Sequence, residues 1–297
     1  MSGRHPPFSY VAMMEGLGLG EYAALPNLEP TIPAAVDVPL TEATVGLFTS
    51  CGAILPHQRP FAPTNDLTFR LIGRDVPVAE VTFAHPTPVR GFAEQDLNVA
   101  YPRDRLVELE AQGAIGRLAD NAVSMLGSIT TYTRMLEQTA PMVAEAFRDQ
   151  GVDLVLAVPF CPACHRATSL LAKALEASGV PTVMITVLRE MAEALKPSRP
   201  VFLDYPLGAT AGRPGDPVNQ RAIVLETLQV GHDMAGKWGI YDLPFAYSGD
   251  DRSWEDDVRA IYAVHGREIH RARVAEHQAA GERLVGNEEA ISIACAC

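Results

Sequence analysis

No run of lysine or arginine interrupts this sequence, and that absence removes a class of partners. Nucleic acid is held through phosphate contacts that need a basic surface. This chain has 24 Lys and Arg against 36 Asp and Glu, a formal net charge of -12. No apolar run approaches membrane-spanning length, and the start, Met1-Ser2-Gly3-Arg4-His5-Pro6-Pro7, lacks a signal-peptide core. The expectation is a cytoplasmic protein with no nucleic acid and no membrane as partner. Internal repeats and low-complexity tracts are missing too. Cysteine is scarce, with residues only at 51, 161, 164, 295 and 297. So few thiols in so long a chain argue against a disulfide framework and turn attention to catalysis or metal binding.

What is present is a chain of 297 residues, 47% hydrophobic and 20% charged, long enough for a sizeable core. Apolar runs alternate with segments of helical period, which predicts an α/β fold. The expected architecture is largely parallel sheets flanked by helices, in two Rossmann-like lobes, with the site at the carboxyl ends of strands. Residues 1–43, rich in Pro and Gly, read as an N-terminal arm, with a short helix from Phe8 to Leu17. Residues 44–140 read as a first lobe and 141–225 as a second. Residues 226–297 read as a helical region ending in a Cys-x-Cys tail, with Trp254, Ile261, Tyr262 and Val264 as a buried stripe. Strands are expected at Thr44–Ser50, Asp66–Ile72, Val81–Ala84, Val152–Pro159, Thr182–Val187 and Pro200–Gly208. Asp96–Pro102 reads as a strand or extended segment. Helices are expected at Arg103–Gly113, Thr131–Gln150, Thr168–Ser178, 188–195 and Arg221–Met234. The loop 208–216, rich in Gly and Pro, is a candidate lid at a strand end.

The stretch that concentrates chemistry is Pro159-Phe160-Cys161-Pro162-Ala163-Cys164-His165-Arg166. It places two thiols where an apolar strand turns into a helix. Cys161 at a helix amino end is favoured as a thiolate by the dipole and free N–H groups. Cys164 lies one turn on, within reach to resolve an adduct on Cys161, and His165 and Arg166 add donor character. Cys51 ends another strand and is a third candidate thiol. The catalytic candidates are thus Cys161, Cys164, Cys51 and His165. The substrate-binding candidates are Ser50, His85, Asp96, Asn98, Arg166, Asp204 and Arg213. A structural, helix-capping pair and a zinc site are the competing readings; zinc would use Cys51, Cys161 and Cys164 with His85 or His165.

Several collinear blocks resemble a known family. They are Pro39–Val45 leading into Thr49-Ser50-Cys51-Gly52, His85-Pro86, Asp96–Pro102, Ala114-Ile115-Gly116, Pro159–Arg166, Asp204–Gly208 and Gly212–Pro217. Together they are similar to component B of the glycine, sarcosine and betaine reductases and to D-proline reductase, the selenoprotein B family. The match is to its sulfur-only branch, which reads Cys-Pro-x-Cys-His-Arg. In selenium-containing members the first residue of the pair is selenocysteine. The resemblance therefore implies Cys161 as nucleophile and Cys164 as resolving thiol. It also implies further subunits, among them a pyruvoyl-bearing component that activates the substrate, a function with no counterpart in this sequence. Cys51 stands where the family commonly has a small residue, and Cys295 and Cys297 lie outside the match.

These readings converge on a thiol-dependent enzyme, a reductase or desulfurase, that cleaves a carbon–heteroatom bond in a small carboxylate-bearing molecule. Reductive C–N cleavage would release an amine, and desulfuration would release sulfide. No cofactor motif is evident; an external thiol reductant would complete the cycle, and a homo-oligomer is expected. Two alternatives are a cofactor-independent racemase or lyase using Cys51 and Cys161, and a zinc-dependent hydrolytic desulfurase on the same cysteines. A Cys295-x-Cys297 shuttle to the Cys161–Cys164 disulfide is a further expectation.

Overall fold

The computed structural model describes residues 6–20, 25–63, 65–249 and 251–280. The Cys295-x-Cys297 tail and the shuttle expected of it lie outside the described residues. The strands are β1 (Thr44–Thr49), β2 (Ala53–Ile54), β3 (Phe69–Gly73), β4 (Thr82–Phe83), β5 (Arg117–Leu118), β6 (Asn121–Met125), β7 (Leu154–Val158), β8 (Thr182–Thr186), β9 (Arg199–Asp204) and β10 (Tyr241–Ala246). The first helices are α1 (Tyr10–Gly16), α2 (Gly91–Gln95), α3 (Arg103–Ala111), α4 (Tyr132–Arg134) and α5 (Ala140–Arg148). They are followed by α6 (Pro162–Ala177), α7 (Arg189–Leu195), α8 (Pro217–Asp233) and α9 (Ser253–Ala280). Among the described residues, no helix is long and apolar enough to cross a membrane.

The fold is α/β, with a mostly parallel central sheet flanked by helices. The strand order is β10-β9-β8-β7-β1-β6-β3, with β5 beside β1. Every strand pairing within this sheet is parallel except β3 with β6, and β2 and β4 form a separate antiparallel pair. Strands β1, β7 and β8 are buried throughout. That is what nearly continuous apolar runs should do when helices cover both faces. The strands expected in two lobes pair directly, Val45–Thr49 with Leu154–Val158, and so form one sheet.

That pairing fixes where a ligand belongs. From β1 the chain moves to the β6 side of the sheet, and from β7 it moves to the β8 side. The strand order therefore reverses between β1 and β7. In open α/β sheets the crevice outside the strand carboxyl ends at such a switch point is the binding position. Ser50-Cys51-Gly52 leaves β1 there, and Pro159-Phe160-Cys161 leaves β7 beside it.

Several elements differ from the sequence reading for physical reasons. Asp96–Pro102 is not a strand: Leu97–Val99 forms a 3-10 turn, because the Asp96 carboxylate accepts from the Asn98 backbone N–H. The expected helix Thr131–Gln150 contains a π-helical segment at Met135–Thr139. Pro141 lies on the next turn, where it has no N–H to give and crowds the preceding carbonyl. Helices α6 and α8 start earlier than expected, each with a proline at the first helical position, where its missing N–H costs nothing. In α9 the buried stripe is Trp254, Val258 and Tyr262, while Val264 is 71% exposed.

The arm segment 25–43 is tied to the body by polar contacts. Lys173 Nζ donates to the Glu29 carbonyl at 2.7 Å, and the Ala34 N–H donates to Glu176 Oε1 at 2.9 Å. Glu176 also forms a buried ion pair with Arg199, whose Nη2 donates to the Ala34 carbonyl.

Candidate active site

Helix α6 begins at the switch point, with Cys161 as its N-cap. The Cys161 sulfur accepts the Cys164 backbone N–H at 3.3 Å. This is the role an Asp or Ser oxygen plays at other helix starts, and it puts partial positive charge beside the sulfur. Pro162 locks the first turn. The two sulfurs are 3.1 Å apart. At that separation Cys161 S–H donates to the Cys164 sulfur, so the pair shares a proton.

A second element brings in an imidazole. Gly52 has φ +69, a left-handed conformation that glycine adopts without strain, and it turns the chain after Cys51 into the hairpin of β2 and β4. That hairpin continues as a ladder. The Ala84 N–H donates to the Gly52 carbonyl at 2.9 Å, and the His85 N–H donates to the Cys51 carbonyl at 3.3 Å. The ladder delivers His85 Nε2 to 3.2 Å from Cys161 Sγ and 3.1 Å from Cys164 Sγ. The Phe160 ring packs edge-on to the imidazole, with centroids 5.9 Å apart. His85 Nδ1 is buried without a hydrogen-bond partner.

The electrostatics of the pair follow from these contacts. Burial alone would raise the Cys164 thiol. The hydrogen bond from Cys161, the charge and hydrogen bond of His85, and a contribution from Ser50 outweigh it and hold the thiol well below its ordinary value. One proton therefore leaves the pair easily. Cys161 is 3% exposed and Cys164 fully buried. Gly127 explains the difference: a Cβ on it would lie 2.6 Å from the Cys164 sulfur, so only glycine lets this backbone close over that thiol.

The other expected residues divide sharply. His165 does not face the thiols. Its Nδ1–H donates to the Cys161 carbonyl at 2.8 Å, and its Nε2 accepts the Val187 N–H at 3.3 Å. Burial pushes its pKa down to about 4, and with both nitrogens engaged it braces α6 against the end of β8 as a neutral imidazole. Cys51 is buried next to Thr49, whose hydroxyl donates to its sulfur at 3.3 Å, and burial pushes its thiol up to about 12. A thiol held protonated in this way gives the two-cysteine racemase no support from Cys51. Nor does Cys51 join the candidate metal-ligand cluster, which holds His85, Cys161 and Cys164 of the ligands expected for zinc.

Ser50 Oγ accepts the Phe160 N–H at 3.1 Å and stitches the ends of β1 and β7 together. Asp96 accepts from the Gly215 N–H at 3.0 Å and from Gln220 Nε2 at 2.7 Å, and Asn98 bonds to Asp96 and Asp104. Arg213 pairs with Asp216 and donates to the carbonyls of Ala246 and Tyr247. Asp204 Oδ1 accepts from Arg252 Nη2 at 3.1 Å. Asp96, Asn98, Arg213 and Asp204 are therefore engaged in holding the fold. Arg166 is half-buried on the first turn of α6. The loop expected as a lid is a latched segment: residues 205–212 are buried, and Thr210 Oγ1 donates to the Pro159 carbonyl at 2.7 Å.

Comparison with known proteins follows the same line. The chain is 29% identical over 230 residues to the D-proline reductase subunit gamma of Acetoanaerobium sticklandii, covering 77% of this chain and 95% of that subunit. It is 25% identical over 210 residues to the glycine reductase complex component B subunit gamma of Carboxydothermus hydrogenoformans, covering 68% of this chain and 48% of that subunit. It is 27% identical over 214 residues to the sarcosine reductase complex component B subunit beta of Peptoclostridium acidaminophilum, covering 67% of this chain and 47% of that subunit. The chain thus spans nearly all of the first relative and about half the length of the other two. No protein-family model and no solved structure matches it. These relatives are subunits of the reductase group that the motifs resemble.

Proposed function

We propose that this chain is the thiol-bearing subunit of a reductase that cleaves a C–N bond next to a carboxylate. The observation that carries the reading is the convergence of Cys161, Cys164 and His85 at the switch point. Two sulfurs lie 3.1 Å apart, and one imidazole nitrogen is within 3.2 Å of both. The names of the relatives, reductases of proline, glycine and sarcosine, supply the substrate class.

The geometry supports a two-step cycle. His85 Nε2 takes the Cys161 proton, and the thiolate attacks the carbon that bears nitrogen. The C–S bond forms, the C–N bond breaks, and the amine leaves with its electron pair and a proton. Cys164 then attacks Cys161 Sγ from 3.1 Å. The S–S bond forms, the C–S bond breaks, and the carbon keeps the pair, spread into the adjacent carboxylate, until it is protonated. The balance is two thiols oxidised to a disulfide and C–N reduced to C–H and N–H. An external dithiol restores the pair. Nitrogen is a poor leaving group, so a partner subunit activates the amine.

Two measurements test this. Bromoacetate, whose halide leaves unaided, should alkylate Cys161 first in the reduced protein, as read by mass spectrometry. Anaerobic turnover of cyclic and N-substituted amino acids, with the activating subunit present, should release amine and should trap a Cys161 adduct in Cys164→Ser. Release of sulfide from thiones instead, or undiminished activity in Cys161→Ala, would sink the reading.

A further inference from the structure

The three groups at the switch point have a second property that the reductive cycle does not use. Cys161 Sγ, Cys164 Sγ and His85 Nε2 form a triangle with edges of 3.1, 3.1 and 3.2 Å, and all three residues are buried. We propose that the reduced dithiol and His85 together are a zinc-type metal site with three protein ligands and an open fourth position. The proposal rests on the same side chains as the reductive reading but not on its chemistry.

Four observations carry it. The donor set is two soft sulfurs and one imidazole nitrogen, a combination used for zinc where the fourth ligand is exchangeable. Tetrahedral bonds of about 2.3 Å to sulfur and about 2.0 Å to nitrogen would place the sulfurs about 3.8 Å apart and each about 3.5 Å from the nitrogen, so the sulfur–sulfur edge opens by about 0.7 Å and the other two by about 0.3–0.4 Å. The Cys-x-x-Cys spacing at the start of α6 puts both sulfurs on one side of the first turn, and the Cys164 N–H already supports charge on Cys161. The imidazole offers Nε2, carried by a different element, and the Cys51–His85 ladder fixes it so that no loop has to close. Among the described residues, no fourth His, Cys or carboxylate joins the cluster. Gly127 closes the Cys164 side, so an exogenous ligand would reach the ion from the Cys161 side.

Binding would displace the thiol protons, hold both sulfurs as thiolates and prevent the disulfide. The ion would thus be a reversible brake on the dithiol, bound by its reduced form and released on oxidation. The test uses the full chain carrying Cys295→Ser and Cys297→Ser, so that the tail thiols contribute nothing. Cobalt(II) added anaerobically to the reduced protein should give a thiolate-to-cobalt absorption band that saturates at one equivalent. One equivalent of zinc should remove that band and protect Cys161 from iodoacetamide. His85→Ala should weaken binding by at least about tenfold, with circular dichroism reporting whether the variant is folded. The disulfide form should bind nothing. Absence of a band in the reduced protein overturns the site, as does a band indifferent to Cys161→Ser. Zinc affinity unchanged in folded His85→Ala removes the imidazole and with it the three-ligand assignment. None of these results bears on amine release, so the metal site and the reductive reading fail separately.

Discussion

Sequence pattern singled out both the thiol end of the sheet and the polar cluster around Asp96. They are built in opposite ways. At Asp96 the acceptors and donors are matched: the carboxylate takes the Asn98 and Gly215 N–H groups and Gln220 Nε2, while Arg213 pairs with Asp216. In such a region the polar groups are already matched to one another. At the thiols, groups that want protons or partners are pressed together: two sulfurs compete for one proton, and an imidazole has an idle buried nitrogen. A polar residue at a strand end is therefore not by itself a sign of chemistry. What marks the reactive region is a set of groups that do not satisfy one another.

That contrast can be broken by substitution. Cys161→Ser should lower turnover by on the order of a thousandfold or more, since it removes the attacking atom, while thermal denaturation moves little. His85→Gln should lower turnover by about a hundredfold, the scale of a lost proton acceptor, with the loss measured as kcat rather than KM. Asp96→Ala should act the other way round. Losing a carboxylate that accepts four hydrogen bonds should cost about 2–4 kcal/mol in chemical denaturation and leave the iodoacetamide reactivity of the dithiol intact. If Asp96→Ala instead abolished thiol reactivity in folded protein, the division drawn here would be wrong.

Acid supplies a smaller effect. Burial raises the Asp96 carboxyl, but the hydrogen bonds from Gln220, Gly215 and Asn98 outweigh it and leave its folded value below the ordinary 3.8. Its folded pKa is thus below its unfolded one. The stabilisation is fully present above the unfolded value and is lost as pH falls through the folded one. Asp96→Asn should lower stability at pH 7, where the ionised carboxylate contributes fully, and flatten the pH dependence below about pH 4 so that it approaches the parent in acid, as read from denaturation midpoints. The smallest effect sharpens the thiol side. Held near 12 by burial, Cys51 should stay unlabelled at pH 8 while Cys161 reacts, a difference visible in peptide mass spectra.

The sheet was largely legible because strands covered on both faces are written as apolar runs, as in Val155–Val158 and Val183–Ile185. Proline misled at α6 and α8, where it opens helices instead of stopping short of them. At Asp96 one side chain overrode an apolar pattern by capping a turn. The thiol pair was legible because its two members are neighbours in sequence. His85 was visible only as a histidine at a strand end. Its position against Cys161 depends on a left-handed glycine and a two-rung extension of a hairpin, which local periodicity does not express. The idle thiol of Cys51 and the engaged nitrogens of His165 were equally hidden, because burial and partner choice are set by the packed fold.

Gly127 carries a consequence for the proposed thiol cycle. A thiolate that reopens a disulfide must approach along the line of the S–S bond, behind the sulfur it attacks. Backbone at Gly127 stands over Cys164, so in the proposed cycle the reductant should land on Cys161 and expel Cys164. Under that cycle the fuel and the substrate would enter by one door and be joined, in turn, to one atom. Turnover should alternate between them in ping-pong order, and excess of either should exclude the other.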